Sequence, residues 1–597
     1  MDREMAQGLR VAVKECSERG LYAASKWASE LLLSVPFAKR HPPPPTPEAT
    51  SSQLNEDTQQ SLAPTQVSDD PLAVSRHPLA PSVQSQPEEV RALELEFEAQ
   101  DADLLFAARA FIESRDPMRA IHVLHTCKSA KAQFLSLYSQ FIATENRASR
   151  SWHKLDNNRH QPRDPVNATV EHLANRVVNV ADPWLLYLKG LFLSRLENRR
   201  DEAIESAIRS IAGFPWNWAA WTLLGSCIED GEELARILPF LPLSSTHPLV
   251  QMFQVKTMNE LQISSDDELG LCDQLLRPDR FSKSLWVMSL RACVLYCSHE
   301  FKSAQAQFER IFAIDPRRVD DVDIYSNILY VTDSAVKLSR LANEFIASDR
   351  DRPEVCGVLG NLHSLRSEHE KSVKYFRRAT QLDRTYLPAW TLMGHEYVEM
   401  KNSQMAIECY RRAVDVNRKD YRAWYGLGQA YELLNMHQFA LHYYHHATAL
   451  RPYDVRLWQA QGMCYEEMGK LREAVECFKR ALIMADPHEI TINLRLANLY
   501  GAMQDYAESS AYHRRVVEVC QANGQPVQDF AKSSVRVAEF HLRTGGDLLL
   551  AREFLTTVAA SNVEEVVQAA DLLKAVDSAL QKRNADSEDR RKEGKVT

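Results

Sequence analysis

The chain has 597 residues, 45% of them hydrophobic, only 19 glycines and a formal net charge of −9. That length suffices for several compact domains or one elongated body, and the mildly acidic balance argues against broad nucleic-acid binding, which needs a basic face to displace counterions. Eleven cysteines with no CxxC pair argue against a disulfide framework or a zinc ribbon, and the lack of any run of 18 apolar residues, with the polar start MDREMAQGLRVAVKECSERG, predicts an intracellular protein that does not span a membrane.

The first predicted element covers residues 1–39. Leu21, Ala24, Ala28 and Leu31/Leu32 recur at helical spacing within ERGLYAASKWASELLLSV, which predicts an amphipathic helical hairpin. Residues 40–90 contain HPPPPTPE and are rich in Ser, Gln and Pro, too poor in core-forming residues to fold, so they read as a disordered insert. From 91 to 320 a degenerate periodicity is visible. Tyr187 and Trp221 lie 34 apart with Ala203 and Pro215 between them, and Ala304, Phe308, Ile311 and Pro316 mark a later helix.

The period sharpens between 321 and 580. Gly360, Phe376 and Ala379 keep the register, with His363 and Ser372 at two of its places. Three segments then overlay at an offset of 34: LPAWTLMGHEYVEMKNSQMAIECYRRA from Leu387, YRAWYGLGQAYELLNMHQFALHYYHHA from Tyr421 and VRLWQAQGMCYEEMGKLREAVECFKRA from Val455. Leu499 and Tyr512, then Ala538, Leu542, Ala551 and Leu555, carry weaker repeats onward, and 581–597 is a tail charged in both signs, expected to be mobile.

The shared positions are Trp390/Trp424/Trp458, Gly394/Gly428/Gly462 and Tyr397/Tyr431/Tyr465 on a first helix, then Ala406/Ala440/Ala474, Tyr410/Tyr444/Phe478 and Ala413/Ala447/Ala481 on a second. Spacings of three and four put each set on one helical face. Glycine and the first alanine are small where the paired helices cross closely, and large rings fill the space between hairpins. The architecture predicted is an all-α tetratricopeptide-repeat superhelical solenoid, whose hairpins bury one another's apolar faces.

On the first helices, the residues just off this packing stripe are predicted to face a concave groove: Asn327 and Tyr330, Asn361, Thr391, His395 and Val398, Tyr425, Gln429 and Glu432, then Gln459, Met463 and Glu466. Amides, carboxylates and a phenol suit an extended peptide carrying arginine.

Chemistry is sparse. The four His-Glu pairs at His299, His369, His395 and His488 lack the second histidine of a zinc-protease helix, and Gly426-Leu-Gly428 lacks the third glycine and the strand of a phosphate loop. His437, His442, His445 and His446 are read as an exposed helix face rather than a metal site, and Cys293 and Cys297 as small core residues. Asn167-Ala-Thr matches a glycosylation sequon, which has no meaning in a protein that is not exported. No catalytic residue, metal or cofactor is predicted.

Specific wording goes beyond the generic repeat. SKWASELLLSVPF, DLLFAARAFIESRDPMRAIHVLHTC, YSNILYV, LGNLHSLRSEHEKSVKYFRRA, AWTLMGHEYVEMKN and DYRAWYGLGQAYELL resemble the subunit-eight (cell division cycle protein 23) family of the anaphase-promoting complex, or cyclosome, over about residues 15–580. The resemblance implies a non-catalytic scaffold in a multisubunit E3 ubiquitin ligase that controls mitosis, located in nucleus and cytoplasm. It further implies a homodimer through the N-terminal repeats, partnership with other repeat subunits and the large scaffold subunit, and a C-terminal groove for a short Arg-containing activator motif, mapping onto Asn327 through Glu432. A repeat-bearing enzyme would need a catalytic domain of over about a hundred residues, for which no room is left. A chaperone co-factor adaptor would need a basic groove, whereas this one presents Glu, Gln and Asn.

Overall fold

A computed structural model describes residues 3–35, 40, 88–154, 167–196, 198–263, 266–278, 280–486, 488–561 and 564–593. The insert expected over 40–90 falls almost wholly outside the described residues. Among those described there are 30 α-helices, one short 3-10 turn and no strand, in two compact units, Met1–Leu365 and Arg366–Thr597.

The second unit shows how the repeat works. Its helices pair as His369–Leu382, Leu387–Glu399 with Ser403–Val416, Tyr421–Leu433 with His437–Leu450, Val455–Glu467 with Leu471–Met484, Thr491–Ala502 with Tyr506–Ala522 and Val527–Thr544 with Leu548–Ala559. A final helix, Val566–Glu593, packs Val576 and Ala569 into the last core, so the charged tail from 581 is helical over its described backbone. Ala406, Tyr410, Ala413, Ala440, Tyr444, Ala447, Ala474 and Ala481 are fully buried. The glycines are small for a sharper reason than helix crossing alone. A Cβ on Gly394 would lie 2.6 Å from the Tyr410 ring and one on Gly462 2.8 Å from Phe478, and one on Gly428 would come closer than 3.0 Å to Tyr444. The ring of the second helix, more than its backbone, fills the glycine's place.

Trp390, Trp424 and Trp458 are only half-buried, because each holds its indole N–H at the surface seam. Nε1 donates to the carbonyl six residues earlier: Trp390 to Arg384 at 3.0 Å, Trp424 to Arg418 at 2.9 Å and Trp458 to Pro452 at 2.8 Å. Trp221, in the first unit, does the same to Pro215 at 2.8 Å. Each tryptophan thereby ties the loop before its helix to the helix itself.

The turn inside each hairpin repeats in backbone rather than in side chain. His299, Asp333, Ser367, Lys401, Asn435, Gly469 and Gln504 all have positive φ, between +50° and +73°. After His299, Asp333, Lys401, Asn435, Gly469 and Gln504 the next N–H reaches five residues back, as from Asn402 to Tyr397 at 2.8 Å and Lys470 to Tyr465 at 2.9 Å. That is a left-handed cap closing one helix before the next begins.

In the first unit, the predicted N-terminal hairpin forms from Arg3–Glu18 and Tyr22–Ser34. It packs against helices far along the sequence. Trp27 stacks on Trp218 at 4.4 Å and meets Trp286 edge-on at 6.0 Å. Lys26 pairs with Asp320 at 2.7 Å, and Arg318, 5% exposed, donates to Glu30 at 2.9 Å. The eleven cysteines are free thiols; nine are buried and act as small apolar core residues, with burial pushing Cys16 and Cys272 up to about 12, while Cys127 and Cys297, the latter expected in the core, are only half-buried.

Candidate functional site

The predicted groove residues are divided between the two units. In the first unit, Asn327 and Tyr330 lie on the helix Val322–Val331 and Asn361 on Pro353–Leu365, two helices that pack together. The spacing of 34 between Asn327 and Asn361 brings equivalent positions of adjacent repeats side by side. Asn361 Nδ2 donates to Asn327 Oδ1 at 2.7 Å and to Ser326 Oγ at 2.8 Å, and Ser364 Oγ donates to the Tyr330 hydroxyl at 3.4 Å. Asn361 is 3% exposed and so offers almost no surface, whereas Tyr330 is 41% exposed. The result is an amide ladder with an open phenol at its edge. Ser326 and Ser364 were not singled out from sequence; their signal is only that they neighbour the repeat's polar places.

In the second unit, Leu387–Glu399 carries Thr391 and His395, and Tyr421–Leu433 carries Tyr425, Gln429 and Glu432. Thr391 is 6% exposed and bonds back to the Leu387 carbonyl at 3.4 Å, so it too sits inward. His395, Tyr425, Gln429 and Glu432 are half-buried, as are Val398, Gln459, Met463 and Glu466.

The half-buried polar groups reach the rings of the second helices. The Tyr410 hydroxyl meets His395 Nδ1 at 2.8 Å. Burial first, and the Arg422 guanidinium second, hold the His395 imidazole down to about 4, and burial raises the Tyr410 phenol, so the phenol donates to a neutral ring. One repeat on, the Tyr444 hydroxyl donates to Glu432 Oε2 at 2.7 Å, and burial followed by the Glu432 charge raises that phenol. Gln429 Nε2 donates to the Tyr425 hydroxyl at 3.2 Å. Glu466, by contrast, already faces Arg495 at 3.3 Å. Among the described residues, the Tyr444 hydroxyl is the one hydrogen-bond partner of the Glu432 carboxylate, an arrangement that leaves its other oxygen suited to a guanidinium.

A second ladder joins successive hairpins at a spacing of 20 residues. Arg377 Nη2 donates to the Tyr397 hydroxyl at 2.8 Å and Arg411 Nη2 to Tyr431 at 2.6 Å; His445 Nε2 stands 3.3 Å from Tyr465. The tyrosines predicted as packing residues thus also tie one repeat to the next. Glu396, 5% exposed against His369 Nδ1 at 2.9 Å, is a further buried contact that periodicity did not flag.

Among the described residues, no group of three or more His, Cys, Asp or Glu side chains is placed to hold a metal ion, and no helix is long and apolar enough to cross a membrane.

Residues 4–292 match the family model described as anaphase promoting complex subunit 8 / Cdc23, and four tetratricopeptide-repeat models match 353–386, 394–435, 455–488 and 494–523. The chain is similar to the anaphase-promoting complex subunit CDC23 of Saccharomyces cerevisiae, 32% identical over 94% of this chain and 96% of that one. It is also similar to anaphase-promoting complex subunit 8 of Arabidopsis thaliana, 35% identical over 66% of each chain, and to the human cell division cycle protein 23 homolog, 33% identical over 57% of this chain and 49% of that one. The crystal structure of the APC/C hetero-tetramer Cut9-Hcn1 superposes with a TM-score of 0.50 at 18% identity, over 82% of this chain and 93% of the other, which shows a shared repeat fold. Paired helices in 34-residue register, and a match to the yeast protein along nearly the whole of both chains, together place this chain in the anaphase-promoting complex subunit 8/Cdc23 family.

Proposed function

We propose that the chain is a non-catalytic scaffold of the anaphase-promoting complex, a multisubunit E3 ubiquitin ligase controlling mitotic progression in nucleus and cytoplasm. Its N-terminal repeats (91–320) make a homodimer, its body stacks on other repeat subunits and the large scaffold subunit, and its repeats over 321–580 hold a short Arg-containing activator motif. The near end-to-end likeness to the yeast subunit supports the scaffold role. The observation that supports the motif site is Glu432, half-buried, with one oxygen accepting from Tyr444 and the other open.

In this reading Glu432 receives the guanidinium, with Tyr425 and Gln429 of the same helix bonding the peptide's flanking groups. The test has two arms. Affinity purification from dividing cells recovers the other complex subunits; recovery of the chain alone, or with a chaperone only, removes the assignment. For the site, Glu432→Lys lowers affinity for an Arg-containing peptide by at least about tenfold while Glu466→Lys, whose parent carboxylate is already paired, has little effect. Unchanged affinity in Glu432→Lys removes the site but leaves the scaffold.

A further inference from the structure

The helix His437–Leu450 carries four histidines, and the structure sorts them by surroundings. His445 is engaged with the Tyr465 hydroxyl, and Nδ1 of His437 is buried against the body. His442 and His446 are different. They are one helical turn apart, both exposed, and their rings stand 4.8 Å apart at 84°. The two rings are close and roughly perpendicular rather than lying flat on each other.

Both rings are held in place by aromatic neighbours. Trp424 from the preceding helix lies nearly parallel to His446 at 4.7 Å and 25°, and Tyr443 meets His442 edge-on at 5.3 Å. Fixing the two side chains beforehand lowers the entropy lost on binding a ligand between them.

We propose that His442 and His446 form a two-nitrogen, solvent-open chelate for a late first-row divalent cation. Histidines at i and i+4 share a helix face and can both reach one ion. With only imidazole ligands and water to complete the shell, the ion order follows the general series, Cu2+ ahead of Zn2+ and Ni2+. No carboxylate stands in the pair as a base, so the site binds and does not hydrolyse. An ion there cross-links one turn of the second helix immediately beside the indole of the first.

Trp424 supplies the readout. Cu2+ titrated into the full-length chain, in a buffer without competing chelators, should quench about one tryptophan's share of the emission of the ten present, saturably. His442→Ala should weaken this binding by at least about tenfold, since one of two ligands is lost. Trp424→Phe should retain the binding by calorimetry and lose the quenching. His442 is exposed and Trp424 half-buried, and circular dichroism of each variant verifies the fold. Wild type and His442→Ala that titrate alike overturn the proposal, as does saturable quenching that persists in Trp424→Phe, because the ion then sits elsewhere.

Discussion

Gly394 and Gly426 close on the same ring, that of Tyr410, from two successive first helices: a Cβ on the former would lie 2.6 Å away and one on the latter closer than 3.0 Å. A fully buried phenol is thus clamped between its own repeat and the next, and Gly426, absent from the repeat's shared positions, proves as tightly fitted as Gly394.

Replacing Gly426 by Ala is expected to cost about 1–3 kcal/mol by overpacking. In a Tyr410→Ala background the same change should cost much less, because the ring it strikes is gone. Denaturant titration of the four chains as a double-mutant cycle measures this coupling; a penalty independent of Tyr410 refutes the clamp.

The turn residues give a cleaner backbone test. Gly469, at φ +73°, has nothing within 4 Å of an added Cβ, so Gly469→Ala should lose about 1 kcal/mol through left-handed strain alone. Asn435→Gly, at the equivalent turn with φ +56°, should be neutral or slightly stabilising. Thermal melts of both variants distinguish this from a packing effect.

Acid should loosen the second unit through His395. Its folded-state proton affinity, at about 4, lies below the ordinary histidine value of 6.5, so the unfolded chain binds the extra proton between those values. Stability conferred by the neutral ring is complete above about pH 6.5 and is lost as pH falls toward 4, with a slope of at most about 1.4 kcal/mol per pH unit. His513, also held at about 4 by burial, adds a parallel contribution. His395→Gln should flatten the midpoint-versus-pH curve by one proton's share, and an unchanged slope contradicts the assignment.

The N-terminal hairpin should be held by its tryptophan far more than by its exposed Lys26–Asp320 pair. Trp27→Ala removes a 4%-exposed ring stacked on Trp218 and is expected to cost about 3–5 kcal/mol. Lys26→Ala breaks a largely exposed pair with Asp320 and should cost about 0–1 kcal/mol. Hydrogen exchange of residues 22–34 reports both, rising sharply only in the tryptophan variant.

Sequence by itself determined the period, the helical hairpin and the family, because Trp, Gly, Tyr and Ala recur wherever interior volume must be the same in every repeat. It also placed Asn327 beside Asn361, since equal register in stacked units means adjacency in space. What it left open was decided by tertiary structure. Lys401, Asn435 and Gly469 share one left-handed backbone state although their side chains have nothing in common, since the hairpin closure constrains φ and ψ and not chemistry. Asn361 and Thr391, polar and off the packing stripe, turned out buried, while Glu432 kept an open oxygen and Glu466, one repeat on, met Arg495. Exposure and pairing depend on which neighbour the next helix presents, and a single helix's periodicity carries no record of that neighbour.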